Sequence, residues 1–221
     1  MAKKTKQIKD KTRSAKILKI LEATYPRVKT QLRHASPFEL LVATILSAQC
    51  TDKQVNGVTK DLFKKLRTPH DFASASNETI EKLIRPTGYF RNKAKNIKNC
   101  SKSLLEKYDG QVPQSLDELI KLPGVGRKTA NVVLGSVFNI PGIVVDTHVA
   151  RISKRLGLTV NNNPVRIEYD LMEIIPREEW NVFSLQLIYF GRAICKARKP
   201  LCPTCPLYDL CDFPGKTSKP G

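Results

Sequence analysis

The sequence is poor in acidic residues and contains no long apolar run. Its 221 residues include 20 Asp and Glu against 38 Lys and Arg, which gives a formal net charge of +18. The longest apolar run, residues 40–46, is far shorter than the ~20 residues that a membrane-spanning helix needs. The basic N-terminus is followed by no apolar segment of signal-peptide length. We therefore expect no membrane association, a cytoplasmic location and a polyanionic partner such as nucleic acid.

Three segments carry most of the positive charge, namely residues 1–29 (+8), 91–107 (+5) and 192–221 (+4). Residues 108–191 carry a net charge of −1. If the three basic segments converge in space they form one phosphate-binding face; the alternative is an ordinary solvated lysine surface.

Strand signals are scarce, whereas apolar residues recur at helical spacings of three and four along the chain. Leu40, Leu41 and Ile45 are one such set. Breaks that contain Pro or Gly separate about ten segments of ordinary helix length. The sequence therefore predicts an all-α fold.

The segment 115–137 has the pattern of two helices joined by a very tight turn. Ser115 and Glu118 predict a capping box at the start of the first helix, and the second helix is predicted over 127–137. Gly124 and Gly126 let another backbone approach closely, and the following helix N-terminus attracts anions. The turn is either a phosphate site or a plain helix corner that needs glycine for packing.

Two polar residues in and after this segment, Lys128 and Asp146, have ordinary structural explanations. Lys128 lies beside Arg127 at a helix start, where positive charge favours the neutral, nucleophilic amine; it also fits a phosphate contact or a surface lysine. Asp146 precedes a helical segment at the position of an N-cap.

Four cysteines near the C-terminus, at Cys195, Cys202, Cys205 and Cys211, are spaced as metal ligands. No export signal is apparent, so we expect a reducing compartment rather than disulfides. Zinc and an iron–sulfur cluster both remain open on spacing alone. Cys50 and Cys100 fall outside the pattern and are interpreted as buried or incidental thiols.

Four stretches resemble the endonuclease III family of helix-hairpin-helix DNA repair glycosylases. They are LPGVGRKTA at 122–130, VDTHV at 145–149, LSAQCTD at 46–52 and the cysteine spacing over 195–211. The resemblance implies two helical lobes with Lys128 and Asp146 in the cleft between them. One lobe would be a six-helix bundle over 30–140 with the helix-hairpin-helix at about 115–137; the other would join 1–29 to 141–221 and carry the cluster loop 195–211.

The same resemblance implies a DNA N-glycosylase with abasic-site lyase activity that removes oxidised pyrimidines. Lys128 would form the Schiff base, Asp146 would be the catalytic carboxylate, and the four cysteines of the loop would hold a [4Fe-4S] cluster. Gln49 would enter the gap left by an extruded nucleotide, and Asp52 would stand near the pocket. Tyr89 occupies the place of a second wedge residue that is usually leucine, so its assignment as a wedge departs from the family pattern.

The implied partner is double-stranded DNA containing damaged bases or abasic sites, bound by a monomer associated with the nucleoid. The residues expected to contact DNA are Gln49, Tyr89, Gly124, Val125, Gly126, Arg127, His148, Lys196, Arg198 and Lys199. Two alternatives are a glycosylase of this fold acting on mismatched thymine or uracil, and a non-catalytic hairpin-motif DNA binder with a zinc site.

Overall fold

The computed structural model describes residues 11–218, and within them every regular element is helical. The all-α class predicted from the periodicity is confirmed. No helix in this range is both long enough and apolar enough to cross a membrane. The helices are α1 (Lys11–Thr24), α2 (Pro37–Leu46), α3 (Asp52–Lys65), α4 (Pro69–Ser74), α5 (Asn77–Ile84), α6 (Phe90–Tyr108), α7 (Leu116–Leu119), α8 (Arg127–Val137), α9 (Thr147–Arg155), α10 (Pro164–Ile174) and α11 (Trp180–Ala193). Short 3₁₀ helices lie at Arg85–Thr87, Arg177–Glu179, Cys202–Thr204 and Tyr208–Leu210.

Backbone contacts divide the chain into two compact units, each with its own hydrophobic core. The central unit spans Thr30–Ile140. The terminal unit joins the N-terminal residues up to Lys29 to the chain from Pro141 onwards. The chain therefore leaves the terminal unit once, completes the central unit and returns.

The central unit is built around α2, whose residues are buried from Phe38 to Leu46. A helix that is apolar on all sides is stable only when other helices cover it; α8 and α6 pack against it. Ser36 caps the start of α2, its hydroxyl accepting the Glu39 N–H at 3.1 Å. The carboxylate of Glu39, also buried, accepts the Ala35 N–H at 2.6 Å and pairs with Arg67 at 3.2 Å.

The terminal unit is held together by the packing of α9 and α1 against α11. Gly191 of α11 makes the approach to α9 possible, because a Cβ at this position would lie 2.6 Å from His148 Nδ1 and 2.9 Å from Ile152 Cδ1. In α1, the buried hydroxyl of Ser14 donates to the Ile174 carbonyl at 2.8 Å. This bond ties the N-terminal helix to α10.

The predicted capping box at Ser115 is wrong, although Ser115 is the N-cap residue of α7. Its side chain accepts no backbone hydrogen bond there. The helix has one turn only: the Leu119 and Ile120 N–H groups bond to the Ser115 and Leu116 carbonyls, and the next bonds, from Lys121 and Leu122, already span three residues. The chain thus tightens into the turn before a full helix forms.

Candidate functional site

The turn before α8 uses its two glycines for different purposes. Gly124 has a φ of +77°, and a Cβ there would lie 2.8 Å from the Cβ of Asn96 on α6. Gly126 has an ordinary φ of −91°, and an added Cβ would meet nothing within 4 Å. Between them Val125 is buried and its N–H bonds to the Leu122 carbonyl at 3.1 Å. The fold therefore requires Gly124, whereas Gly126 leaves space on the outside of the turn.

Lys128 lies in the first turn of α8, on the side away from the core. The helix spans Arg127–Val137, as predicted, and its N-cap is Gly126, which has no side chain to bond to the helix N-terminus. Ala130, Val133 and Leu134 are buried, whereas the Lys128 side chain is exposed. The amine is thus accessible beside a helix end that carries partial positive charge.

Asp146 is the N-cap of α9, as predicted, and its carboxylate is fixed by that helix. One oxygen, Oδ1, accepts the N–H groups of His148 and Val149, both at 2.8 Å. The residue is half-buried and extended in backbone conformation. A carboxylate held by two amides at a helix N-terminus has a fixed orientation and remains a hydrogen-bond acceptor through its other oxygen.

His148 follows Asp146 and packs between α9 and α11. Its Nδ1 lies 3.1 Å from the guanidinium of Arg151. Burial lowers the pKa of His148, with Arg151 and Arg192 adding to the shift and Asp146 opposing it. The ring is therefore neutral at pH 7 and can accept or donate one hydrogen bond at each nitrogen, depending on its tautomer.

The four cysteines predicted as metal ligands line one small cavity. Burial raises the pKa of the Cys205 thiol to about 11 and also raises that of Cys211. Such thiols keep their protons until a metal displaces them. Among residues 11–218, no three His, Cys, Asp or Glu side chains converge closely enough to hold a single metal ion. Four thiols placed around one cavity fit a cluster, in which each iron takes one cysteine.

Two arginines of α9, which the sequence did not single out, hold the cysteine loop in place. Arg151 donates to the Cys195 carbonyl at 2.7 Å. Arg155 donates to the Cys195 sulfur at 3.2 Å and to the Lys196 carbonyl at 2.9 Å, and it lies 4.1 Å from the ring centre of Phe213. Their partners lie 40 or more residues away, so no local pattern could have indicated them.

The charged side chains of the cysteine loop point outward. Lys196, Arg198 and Lys199 are all exposed, and Lys199 has a left-handed backbone with φ of 50°. Arg155 donates to the main chain and a cysteine sulfur of the loop, so the charged side chains of the loop itself remain in solvent. The loop therefore presents a fixed basic surface.

Gln49 and Tyr89 are both exposed, and both have left-handed backbone conformations. Their φ angles are 53° and 48°, and Tyr89 is 64% exposed. Left-handed conformations are uncommon for residues other than glycine. Asp52, half-buried, lies in the first turn of α3 shortly after Gln49.

Not every lysine of the basic segment 91–107 is available to phosphate or to solvent. Lys93 is only 4% exposed and donates two hydrogen bonds to main-chain carbonyl groups. Lys98 donates to the Ala75 carbonyl at 2.6 Å. In the N-terminal basic segment, residues 1–10 lie outside the described part of the chain.

Comparison with known protein families gives two matches. Residues 42–177 match the HhH-GPD superfamily of base excision DNA repair proteins. Residues 195–211 match the iron-sulfur binding domain of endonuclease III. The first match covers the hairpin turn and Asp146, and the second covers the four cysteines.

Individual relatives are similar in sequence to this chain over most of its length. It is 52% identical to endonuclease III of Synechocystis sp., over 93% of this chain and 94% of the relative. It is 50% identical to endonuclease III of Bacillus subtilis, over 89% of this chain and 90% of the relative. Two solved structures, a non-covalent endonuclease III–DNA complex and a trapped endonuclease III–DNA covalent intermediate, each superpose with a TM-score of 0.88 at 50% identity. They cover 91% of this chain, and it covers 94% and 95% of theirs. A thermostable thymine-DNA glycosylase is similar at 26% identity, with a TM-score of 0.80 over 92% of this chain and 97% of the other.

Proposed function

The chain belongs to the HhH-GPD superfamily and, within it, to the endonuclease III family, and from that premise we propose that it is a base-excision repair DNA N-glycosylase with abasic-site lyase activity. The observation that carries the proposal is Lys128, an exposed amine at the open N-terminus of α8. It lies in a chain that is 50% identical to a protein trapped in a covalent intermediate with DNA.

The protein carries a [4Fe-4S] cluster, in keeping with the iron–sulfur domain match at 195–211. We assign its ligands to Cys195, Cys202, Cys205 and Cys211. A cluster held by these four cysteines would stiffen the loop. Zinc is not favoured, because this segment matches an iron–sulfur family and no single-ion site is formed by the cysteines in the described chain.

We assign the covalent chemistry to Lys128. Its neutral Nζ attacks C1′ of the damaged nucleotide, the C1′–N bond breaks, and the base leaves with its electron pair and takes up a proton. Loss of protons from the nitrogen and opening of the sugar ring leave a C1′=N imine, a Schiff base. Removal of a proton from C2′ then expels the 3′ phosphate by β-elimination, and water hydrolyses the imine to restore the amine.

We assign the charge stabilisation to Asp146. Its carboxylate stabilises the positive charge that develops on the sugar as the base departs, and it assists removal of a proton from the lysine amine. Two helix amides fix the orientation of this carboxylate, so no reorganisation is needed when the charge appears.

The DNA backbone is bound at several places that read no sequence. Residues Gly124 to Arg127 present the outside of the hairpin turn to phosphate, as expected of a helix N-terminus. Lys196, Arg198 and Lys199 contribute charged contacts from the cysteine loop, and His148 contributes a neutral polar one. Gln49 and Tyr89 enter the space left by the extruded nucleotide, where the tyrosine ring stacks on the unpaired base.

The substrate class is double-stranded DNA that contains an oxidised pyrimidine or an abasic site, and the protein acts as a monomer on chromosomal DNA in the cytoplasm. Extrusion costs less at a damaged pair, which supplies part of the selectivity. The lower identity to the thymine-DNA glycosylase, 26% against 50% for endonuclease III, gives mismatched thymine less support as the substrate.

Borohydride trapping on a duplex with one thymine glycol tests the proposal. Borohydride reduces the imine to a stable amine, so the native protein is expected to form a covalent adduct and Lys128→Ala none. Lys121→Ala is the matched control, because Lys121 is another exposed lysine of the same helical hairpin. An absent adduct with the native protein, or an undiminished one with Lys128→Ala, would refute the assignment.

A further inference from the structure

Lys93 is a buried lysine whose amine is used entirely inside the central unit. Its side chain is 4% exposed, and Nζ donates to the Leu46 carbonyl at 2.9 Å and to the Thr87 carbonyl at 2.8 Å. Burial lowers the pKa of Lys93. A buried ammonium is costly, and two short bonds to carbonyl groups offset that cost.

The two carbonyl groups come from chain segments that are far apart in sequence. Leu46 is the last residue of α2, where the helix dipole is negative and attracts a cation. Thr87 is the last residue of the 3₁₀ helix that precedes Gly88 and Tyr89. Gln49 lies three residues beyond Leu46, and Tyr89 lies two beyond Thr87. One ammonium therefore joins the two segments that lead into Gln49 and Tyr89.

Both of these residues sit in the left-handed region, with φ of 53° and 48°. This conformation is unfavourable for glutamine and tyrosine and persists only where surrounding contacts impose it. Lys93 also supplies a backbone contact, because its N–H bonds to the Tyr89 carbonyl at 3.1 Å at the start of α6. The backbone N–H and the side-chain amine of Lys93 thus both constrain the turn that carries Tyr89. The amine also constrains the end of α2.

We propose that Lys93 is a positioning residue that holds Gln49 and Tyr89 in the conformation in which they enter DNA. This inference rests on the proposed function, which gives those two side chains their role. Lys93 does not touch DNA itself. It fixes both inserting residues before binding, so that base extrusion does not carry the entropic cost of ordering them.

Lys93→Met tests the inference, because methionine replaces the unbranched apolar stem of the buried side chain and removes the ammonium. Borohydride trapping is measured on two substrates, a thymine-glycol duplex, which needs extrusion, and a single-stranded abasic site, which does not. The expected result is a roughly tenfold to hundredfold slower adduct on the duplex, as two charge-assisted bonds are lost, with the rate on single-stranded DNA unchanged. Lys82→Met is the matched control, an exposed lysine of α5 in the same unit.

A second readout reports insertion directly. With 2-aminopurine opposite an abasic analogue, native protein is expected to change the fluorescence on binding, and Lys93→Met to bind with a smaller change. Equal rates for Lys93→Met and native protein, or equal losses on both substrates, would overturn the inference. Absence of any adduct with the native protein refutes the proposed function instead.

Lys93→Gln, which keeps a neutral donor on a shorter side chain, serves if the methionine variant does not fold. Its adduct is expected to form more slowly than the native adduct on the duplex and at the native rate on single-stranded DNA. Failure of both variants to fold would show that the lysine maintains the core rather than the two segments, and would also overturn the inference.

Discussion

The N-termini of α8 and α9 differ in what caps them. Helix α9 begins behind Asp146, whose Oδ1 accepts two backbone N–H groups at 2.8 Å. Helix α8 begins behind Gly126, which has no side chain and has open space around the position of a Cβ. Both helix ends carry partial positive charge. One is therefore neutralised from within by a carboxylate, and the other is left for an anion from outside.

This difference separates two tasks of a DNA-cleaving enzyme. A carboxylate that must face a developing cation is best held rigidly, and the amides of α9 do this for Asp146. A phosphate must be able to arrive and leave, and a glycine cap on α8 leaves the turn accessible. In the proposed function, the single side chain at the N-cap thus decides whether a helix start orients the carboxylate assigned to catalysis or is left open to the substrate backbone.

The largest expected effect comes from Asp146→Asn, which separates the cap from the chemistry. Asparagine caps helices about as well as aspartate, so the free energy of unfolding in urea should be unchanged. Single-turnover excision of thymine glycol should fall by about 10²–10⁴-fold, the usual contribution of a general acid–base group.

Asp146→Ala is the companion variant. It loses the chemistry and the cap together, so it should also be destabilised by about 1 kcal/mol. Full excision by the asparagine variant would show that Asp146 is only a helix cap, and would leave the comparison between α8 and α9 without a catalytic meaning.

Substitution of the two glycines of the turn gives the next largest effects. We expect Gly126→Ala to weaken DNA binding and Gly124→Ala to lower stability. Gly126→Ala should change the free energy of unfolding little, because its backbone angles suit alanine whereas alanine is the poorer N-cap residue, and the two effects oppose each other. Its affinity for duplex DNA should fall about tenfold, equivalent to one hydrogen bond to a charged group. Gly124→Ala should instead lose about 1–3 kcal/mol of stability through its left-handed backbone and its contact with Asn96.

Urea unfolding and fluorescence anisotropy with a duplex carrying an abasic analogue measure the two quantities. If Gly126→Ala is less stable than Gly124→Ala, or if Gly126→Ala binds DNA as tightly as the native protein, then the open space beside α8 is not where phosphate lies.

Features set by neighbouring residues could be predicted from the sequence. The bounds of α8 follow from Gly126 and the apolar stripe behind it, and the cap at Asp146 follows from the run of apolar residues on either side. The motif match to a known family then supplied the role proposed for Lys128. It also favoured an iron–sulfur cluster over zinc, a choice that the spacing of the cysteines alone left open.

Features set by distant contacts could not be predicted. The burial of Lys93 within a basic segment could not be predicted, because the Leu46 carbonyl to which its amine donates is 47 residues away. The same holds for Arg155, whose bonds to the cysteine loop span about 40 residues. The capping box at Ser115 failed for a different reason, since two residues of the right type do not determine how soon the chain turns. In each case the packed neighbours, rather than the local sequence, decide the side chain's partners.

The smallest expected effect distinguishes how amides and cations bind phosphate. Each phosphate neutralised by Lys or Arg releases counterions, so log K falls with log salt at a slope of about −0.9 per contact. Lys196→Ala, which removes an exposed cation of the cysteine loop, should reduce the magnitude of that slope by about 0.9. Gly126→Ala should weaken binding at every salt concentration and leave the slope unchanged, because amide contacts at α8 carry no full charge. Lys82→Ala is the control for loss of a remote lysine. Anisotropy titrations across a salt series measure all four proteins, and equal slopes for native protein and Lys196→Ala would mean that the loop's lysine only faces solvent.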